Sequence, residues 1–151
     1  MKHLFTLIFL LNLAFVGTGQ KLWMNETDEF TGEVKKATES YEVGVGVSSL
    51  YFMFGRIGET YFFYANSDSD LGCAGAVGNY IILKFVDGST VKLEDISDVD
   101  CKEGAKSTFI FNPNDFKGKD IEKVRFKQSE YFDDYDWNCE FLLVDFINSI
   151  R

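Results

Sequence analysis

The sequence predicts an all-β protein, an antiparallel sandwich or barrel of about seven to nine short strands. Short apolar and aromatic runs recur along the chain, and clusters of Asp, Asn, Ser and Gly separate them. Only residues 139–150 show a helical period, and the single proline interrupts none of the apolar runs. Strands that follow one another without intervening helices favour antiparallel pairing.

The first 19 residues predict a cleavable signal peptide. Lys2 and His3 precede an apolar run over residues 4–16, which is shorter than the roughly 20 residues that span a bilayer. Gly17 and Gly19 then provide the small residues that signal peptidase needs, with the cut before Gln20. A retained anchor or a buried core helix is the alternative. Residues 20–151 are expected to form a single mainly-β domain that is secreted or periplasmic.

Composition excludes several function classes. The net charge is −9 and no Lys/Arg cluster stands out, so neither nucleic acid nor an anionic membrane surface is an expected partner. The single histidine is His3, within the predicted signal peptide, so the mature domain has none. This excludes Ser-His-Asp and Cys-His catalysis, as well as zinc or copper sites that depend on imidazole.

The strands are predicted from local periodicity and turn residues. Strand-like runs lie at 20–24, 33–38, 43–54, 60–65, 80–86, 89–93, 107–111 and 121–128. Residues 55–58 are expected to form a turn, and residues 130–136 a solvated acidic loop. The stretch 139–150 fits either a buried strand or a helix, and the spacing of Leu143, Phe146, Ile147 and Ile150 favours a short C-terminal helix.

A disulfide is predicted from the Asp87-Gly88 dipeptide, which favours a two-residue hairpin loop between the runs at 80–86 and 89–93. Residues that face each other across that loop have numbers summing to about 175. The numbers of Cys73 and Cys101 sum to 174, so one bulge or a loop brings them opposite. We therefore expect a Cys73–Cys101 disulfide that leaves out Cys139, with pairings through Cys139 as the alternatives.

Four short segments carry a resemblance to a known group of proteins. They are the run Asp28-Glu-Phe-Thr-Gly32, the hairpin Phe85-Val-Asp-Gly88, the step Asp100-Cys101 and the strand Val124-Arg-Phe126. In these segments the chain resembles small uncharacterised exported β-domain proteins of Bacteroidota-type bacteria. The shared segments contain no catalytic motif, so the resemblance implies no activity.

A calcium site is the first candidate among the polar segments. Asn66, Asp68 and Asp70 place three oxygen-bearing side chains at alternate positions, and Gly72 permits a tight turn after them. The segment lacks the closing glutamate and the flanking helices of an EF-hand. A solvated turn rich in Asp and Ser is the alternative.

Aromatic side chains are the second candidate, since Phe, Tyr and Trp make up 17% of the chain. Tyr131, Tyr135 and Trp137 are the predicted ligand-binding residues, because they lie in the expected loop. Tyr51, Tyr61 and Tyr64 are further tyrosines that could stack on a sugar or anchor a partner. Core packing is the alternative for each of them.

These observations favour a non-enzymatic binding or interaction domain with a protein or a glycan as partner. A calcium-dependent carbohydrate-binding module is the second interpretation, and calcium is the only cofactor considered. The third is a small glycoside hydrolase that uses paired carboxylates of the segment 130–136, with Glu130 beside Tyr131 or Asp136 beside Trp137 as the acid.

Overall fold

The computed structural model describes residues 21–44, 48–69, 71–102, 106–139 and 142–151. The predicted signal peptide lies outside these ranges. Within them the strands are β1 (Leu22–Thr27), β2 (Val34–Thr38), β3 (Tyr41–Gly44), β4 (Ser49–Ile57), β5 (Thr60–Ser67), β6 (Tyr80–Phe85), β7 (Thr90–Glu94), β8 (Ser107–Phe111), β9 (Ile121–Gln128) and β10 (Tyr131–Asp136). A 3-10 turn (Pro113–Phe116) and a helix, α1 (Leu143–Ile150), complete the elements. No helix in these ranges is both long and apolar enough to cross a membrane.

The strands form two antiparallel sheets that pack as an open sandwich, as predicted. The large sheet has the order β1-β2-β4-β5-β8, and β3 also pairs with β4. β5 occupies one edge of β4, so β2 and β3 lie end to end along the other edge. The small sheet has the order β10-β9-β6-β7.

The core between the sheets is rich in phenylalanine. Phe52, Phe54, Phe63 and Phe109 of the large sheet are fully buried, and Phe126 of the small sheet contacts Phe109 edge-on. Edge-to-face ring pairs of this kind add about 1 kcal/mol each to the free energy of burial. The alternation of these residues along their strands explains why each sheet turns one face inward.

Helix α1 confirms the helical interpretation of the C-terminal stretch. Its buried residues are the predicted ones, Leu143, Phe146, Ile147 and Ile150. The Phe146 ring packs against Tyr41, Phe52 and Phe54 at centroid distances of 4.9, 5.6 and 5.1 Å. The helix therefore covers core residues of β3 and β4.

The Cys73–Cys101 disulfide is confirmed. The loop between β6 and β7 has three residues, because the Phe85 N–H donates to the Ser89 carbonyl and Gly88 adopts a positive φ of 83°. This shifts the register by one residue, so that Tyr80 pairs with Glu94 and Ala74 bridges Asp100. The residue numbers of both pairs sum to 174, as do those of Cys73 and Cys101. The two cysteines are therefore in register without a further bulge.

Three boundaries differ from the prediction. The run 43–54 is two antiparallel strands, since Tyr41–Gly44 folds back onto Ser49–Phe52. β4 continues through the predicted turn to Ile57, and the chain reverses at Gly58, which has a positive φ of 57°. The predicted acidic loop is strand β10, because Asp134 and Asp136 pair with Arg125 and Lys123 of β9.

Candidate functional site

The outer face of the large sheet carries an unbroken apolar row across five strands. Cross-strand pairing places its members side by side in the order Met24, Ala37, Gly55, Phe62, Ile110. Their neighbours along the strands, Phe54, Phe63 and Phe109 among them, face the core, so this row faces away from it. Ile110 is 48% exposed, Met24 and Phe62 are half-buried, and Ala37 and Gly55 are buried beneath their neighbours.

Large side chains extend the row along the strands in both directions. Ile57, which is 39% exposed, lies on one side, and Met53 and Tyr64 lie opposite each other on the other side. Beyond them Tyr51 pairs with Asn66. We call the row together with Tyr51, Met53, Ile57 and Tyr64 the apolar face.

The rings of Phe62 and Tyr64 are the centre of the apolar face. They stack with centroids 5.9 Å apart. A Cβ at Gly55 would lie 3.3 Å from Tyr64 Cε2, so glycine lets the tyrosine ring approach the backbone of β4 closely. Partial burial raises the pKa of Tyr64. The phenol therefore stays protonated and can donate a hydrogen bond.

Charged and polar side chains lie around the apolar face. Glu26 and Lys35 pair across β1 and β2 beside Ile57. At the other end, Glu42 of β3 pairs with Tyr51, and one oxygen of its carboxylate accepts a hydrogen bond from Ser49 Oγ at 2.5 Å. Lys35 and Glu42 therefore mark opposite ends of the same edge of β4, roughly 20 Å apart.

The outer face of the small sheet is different, because its charges neutralise one another. Arg125 donates two hydrogen bonds to Asp134, at 2.6 and 2.7 Å, and Lys123 pairs with Asp136 at 3.0 Å. Its aromatic rings lie under cations, since Arg125 covers Phe132 at 4.6 Å from the ring centroid. A shallow cavity of about 170 Å³ lies over this face and is lined by Arg125 and Asp134. Its charged groups have partners within the chain.

The predicted ligand-binding aromatics do not converge on one surface. Tyr131 is 66% exposed at the start of β10. Tyr135 is 2% exposed, and its hydroxyl lies 2.6 Å from Ser67 Oγ. Trp137 packs against Phe52 with ring centroids 4.5 Å apart. Of the further tyrosines, Tyr51 and Tyr64 belong to the apolar face, whereas Tyr61 packs against Phe111.

Of the predicted calcium ligands, Asn66 and Asp68 lie in the part of the chain that the structure describes. Asn66 lies on the outer side of β5, whereas Asp68 Oδ1 accepts the Ser49 N–H at 2.6 Å. Asp70 lies outside the described residues. In the part of the chain that the structure describes, no three His, Cys, Asp or Glu side chains are placed to hold a metal ion together.

The polar segment at residues 66–69 and the acidic strand β10 approach each other at one end of the sandwich. Ser48 Oγ donates to Asp133 Oδ2 at 3.1 Å and lies 2.9 Å from Ser69 Oγ. Burial raises the pKa of Tyr135, and the carboxylates of Asp133 and Asp68 raise it further. These hydroxyl contacts join β10 to the large sheet.

Two of the three carboxylates of β10, those of Asp134 and Asp136, are held in ion pairs. The hydrogen bond from Arg125 lowers the pKa of Asp134, with the nearby positive charges adding to the effect. A general acid in glycoside hydrolysis requires the opposite shift. Asp136 is also ion-paired, with Lys123.

Comparison with protein-family models, with curated proteins and with solved structures finds no significant match in any of the three. The continuous apolar run at residues 50–54 favours, from sequence alone, a strand that is buried on both faces. In a two-layer sandwich each sheet buries only one face. This rule, applied to β4 and β5, would have identified Met53 and Phe62 as candidate residues of the outer face.

Proposed function

We propose that this chain is an exported, non-enzymatic interaction domain that binds a protein partner through the apolar face. The observation that carries the proposal is the apolar row across five strands on the side of the sheet that faces away from the core. Contiguous apolar patches of a few hundred Å² are often the functional surface of a monomeric protein.

The composition of the apolar face supports a protein partner. Tyr, Phe, Met and Ile occupy its centre, and the charged residues Glu26, Lys35 and Glu42 lie at its edge. Protein interfaces have this arrangement, with aromatic residues and methionine enriched at the centre and a polar rim. The outer face of the small sheet is more polar, because ion pairs join its charged residues around the exposed ring of Phe132.

Export is supported by the disulfide and by the predicted signal peptide. The bridge joins Cys73 to Cys101 across the base of the β6–β7 hairpin. Disulfides of this structural kind form in oxidising compartments such as the periplasm or the extracellular space.

Site-specific photo-crosslinking in the producing cells tests the proposal. Phe62 is replaced by p-benzoylphenylalanine, and the matched control carries the same residue at Phe132, which is 51% exposed on the small sheet. We expect an adduct of one discrete mass from position 62 and none from position 132. Adding Ile110→Glu to the apolar face should abolish the adduct, because a buried unpaired carboxylate opposes docking.

Two results would contradict this function. Equal adducts at positions 62 and 132 would show random collision. An adduct at position 62 that survives Ile110→Glu would place the interface elsewhere.

Carbohydrate binding is a second candidate, favoured by one feature of the same face. Tyr51 lies beside the amide of Asn66, and Tyr64 lies beside Thr108, so ring faces alternate with hydrogen-bonding groups. In affinity electrophoresis through immobilised polysaccharides, Tyr51→Ala should then weaken retention about tenfold. Tyr131→Ala is the control, since Tyr131 lies on the other sheet. Retention that EDTA leaves unchanged would exclude the calcium-dependent form.

A further inference from the structure

We infer that the protein partner is a second copy of this chain, packed face to face through the apolar face around a two-fold axis. This inference rests on the proposed function and names the occupant of the same surface. A two-fold interface brings one patch against itself, so the patch must be self-complementary. The distribution of charge and of rings over the apolar face meets that condition.

The axis that satisfies the charges runs across the strands, midway between Gly55 and Met53 on β4. Residues that pair across neighbouring strands form one level of the face. Rotation about this axis brings the level of Ile57 in one copy opposite the level of Tyr51 in the other. Lys35 pairs with Ile57 and Glu42 pairs with Tyr51, on the same edge of β4. Lys35 of each copy therefore lies opposite Glu42 of the other, and the interface contains this pair twice.

The same rotation also matches the centre of the face. Phe62 and Gly55 share one level, and Tyr64 and Met53 share the next. Phe62 of one copy therefore lies opposite Tyr64 of the other, which extends the stack that the two rings already form within a chain. An axis parallel to the strands would keep each level opposite itself and would leave Lys35 facing the uncharged Thr60 side of the sheet.

The size of the apolar face sets the expected strength of the dimer. Five strands about 4.8 Å apart and four levels about 6.8 Å apart cover roughly 19 by 20 Å. Two such faces bury on the order of 800 Å² in total, which is below the roughly 1,200 Å² of stable specific interfaces and in the range of weak, transient contacts. We therefore expect a reversible dimer whose population rises with concentration.

Charge reversal tests this geometry by sedimentation velocity of the mature chain over a wide concentration range. Lys35→Glu and Glu42→Lys should each weaken dimerisation by about tenfold, since each substitution turns two attractive contacts into repulsive ones. The double variant Lys35→Glu/Glu42→Lys should recover most of the loss. Lys92→Glu is the control, because Lys92 pairs with Glu94 on the small sheet.

The double variant separates the contact between copies from effects within one chain. Glu26 lies beside Lys35 on β1, and the double variant leaves Glu26 facing the new glutamate. Recovery therefore reports the opposing copy. As a second measurement, mixing Lys35→Cys chains with Glu42→Cys chains under mild oxidation should give cross-linked dimers that neither variant gives alone.

The possible outcomes distinguish failure of the dimer from failure of the proposed interaction function. Chains that stay monomeric at every concentration, while the crosslink at residue 62 captures a different protein, overturn the inference and leave the function intact. Monomeric chains with no crosslink overturn both. A dimer that ignores the charge reversals overturns the inference, because its interface lies elsewhere.

Discussion

Replacing Cys73 and Cys101 together with serine should lower the free energy of unfolding by about 3 kcal/mol. The two cysteines are 28 residues apart, and their bridge closes the base of the β6–β7 hairpin. Without it, the unfolded chain regains the loop entropy that the bridge removes. Urea denaturation of the mature protein measures the difference.

The control for this prediction is Cys139→Ser, because Cys139 lies outside the disulfide. It packs half-buried against the edge of the core, so we expect a loss of about 1 kcal/mol. A loss no larger than the control's in the Cys73/Cys101 variant would show that other contacts hold the hairpin base closed.

Asp95→Ala is expected to have an effect of similar size, about 3 kcal/mol. The two carboxylate oxygens of Asp95 accept hydrogen bonds from Gly75 N–H, Ser107 Oγ and three further donors, Asn79 Nδ2, Ser97 N–H and Thr108 N–H. These donors belong to the disulfide loop, to the segment after β7 and to the start of β8. Removing the carboxylate leaves partly buried donors without an acceptor, which is costly. Thermal and urea unfolding provide the measurement.

The pH dependence of stability reports the same carboxylate. Burial, the largest single influence, raises the pKa of Asp95, but the hydrogen bonds from Ser107, Ser97 and Gly75 together outweigh it and hold the pKa below its ordinary value. The stabilisation is therefore complete above the unfolded pKa of about 4 and is lost as the pH falls through the folded value. Asp95→Asn should flatten the loss of stability in acid. An unchanged acid slope in Asp95→Asn would assign it to other carboxylates.

The sequence predicted the features that depend on local pattern. Glycine after aspartate at residues 87–88 predicted the hairpin, and the hairpin register predicted the disulfide. The actual loop is one residue longer than predicted, which brings Cys73 and Cys101 into register. The helical spacing of Phe146 and its neighbours predicted α1.

The sequence analysis predicted a loop where strand β10 lies, because the acidic pattern of β10 indicates a strand only when β9 is considered with it. Asp134 and Asp136 suggest a solvated loop when they are considered alone. The basic side chains of Arg125 and Lys123 stand opposite them, and the cross-strand ion pairs allow an acidic segment to form a strand. Arg125 and Asp134 are only 9 residues apart, but periodicity that is judged one segment at a time separates the two sides of this pairing.

The candidate site was also decided by tertiary structure. The sequence by itself predicted the mainly-β fold and the Cys73–Cys101 disulfide, which the structure confirms, and it contains no histidine after His3. It could not show which side of an all-apolar strand faces solvent, since Met53 and Phe54 are both hydrophobic. Packing of the small sheet and α1 against Phe52 and Phe54 decided it, because a core can cover only one face of each sheet. The opposite face, with Met53, Phe62 and Tyr64, was thereby left on the outside of the sandwich, where these side chains are half-buried.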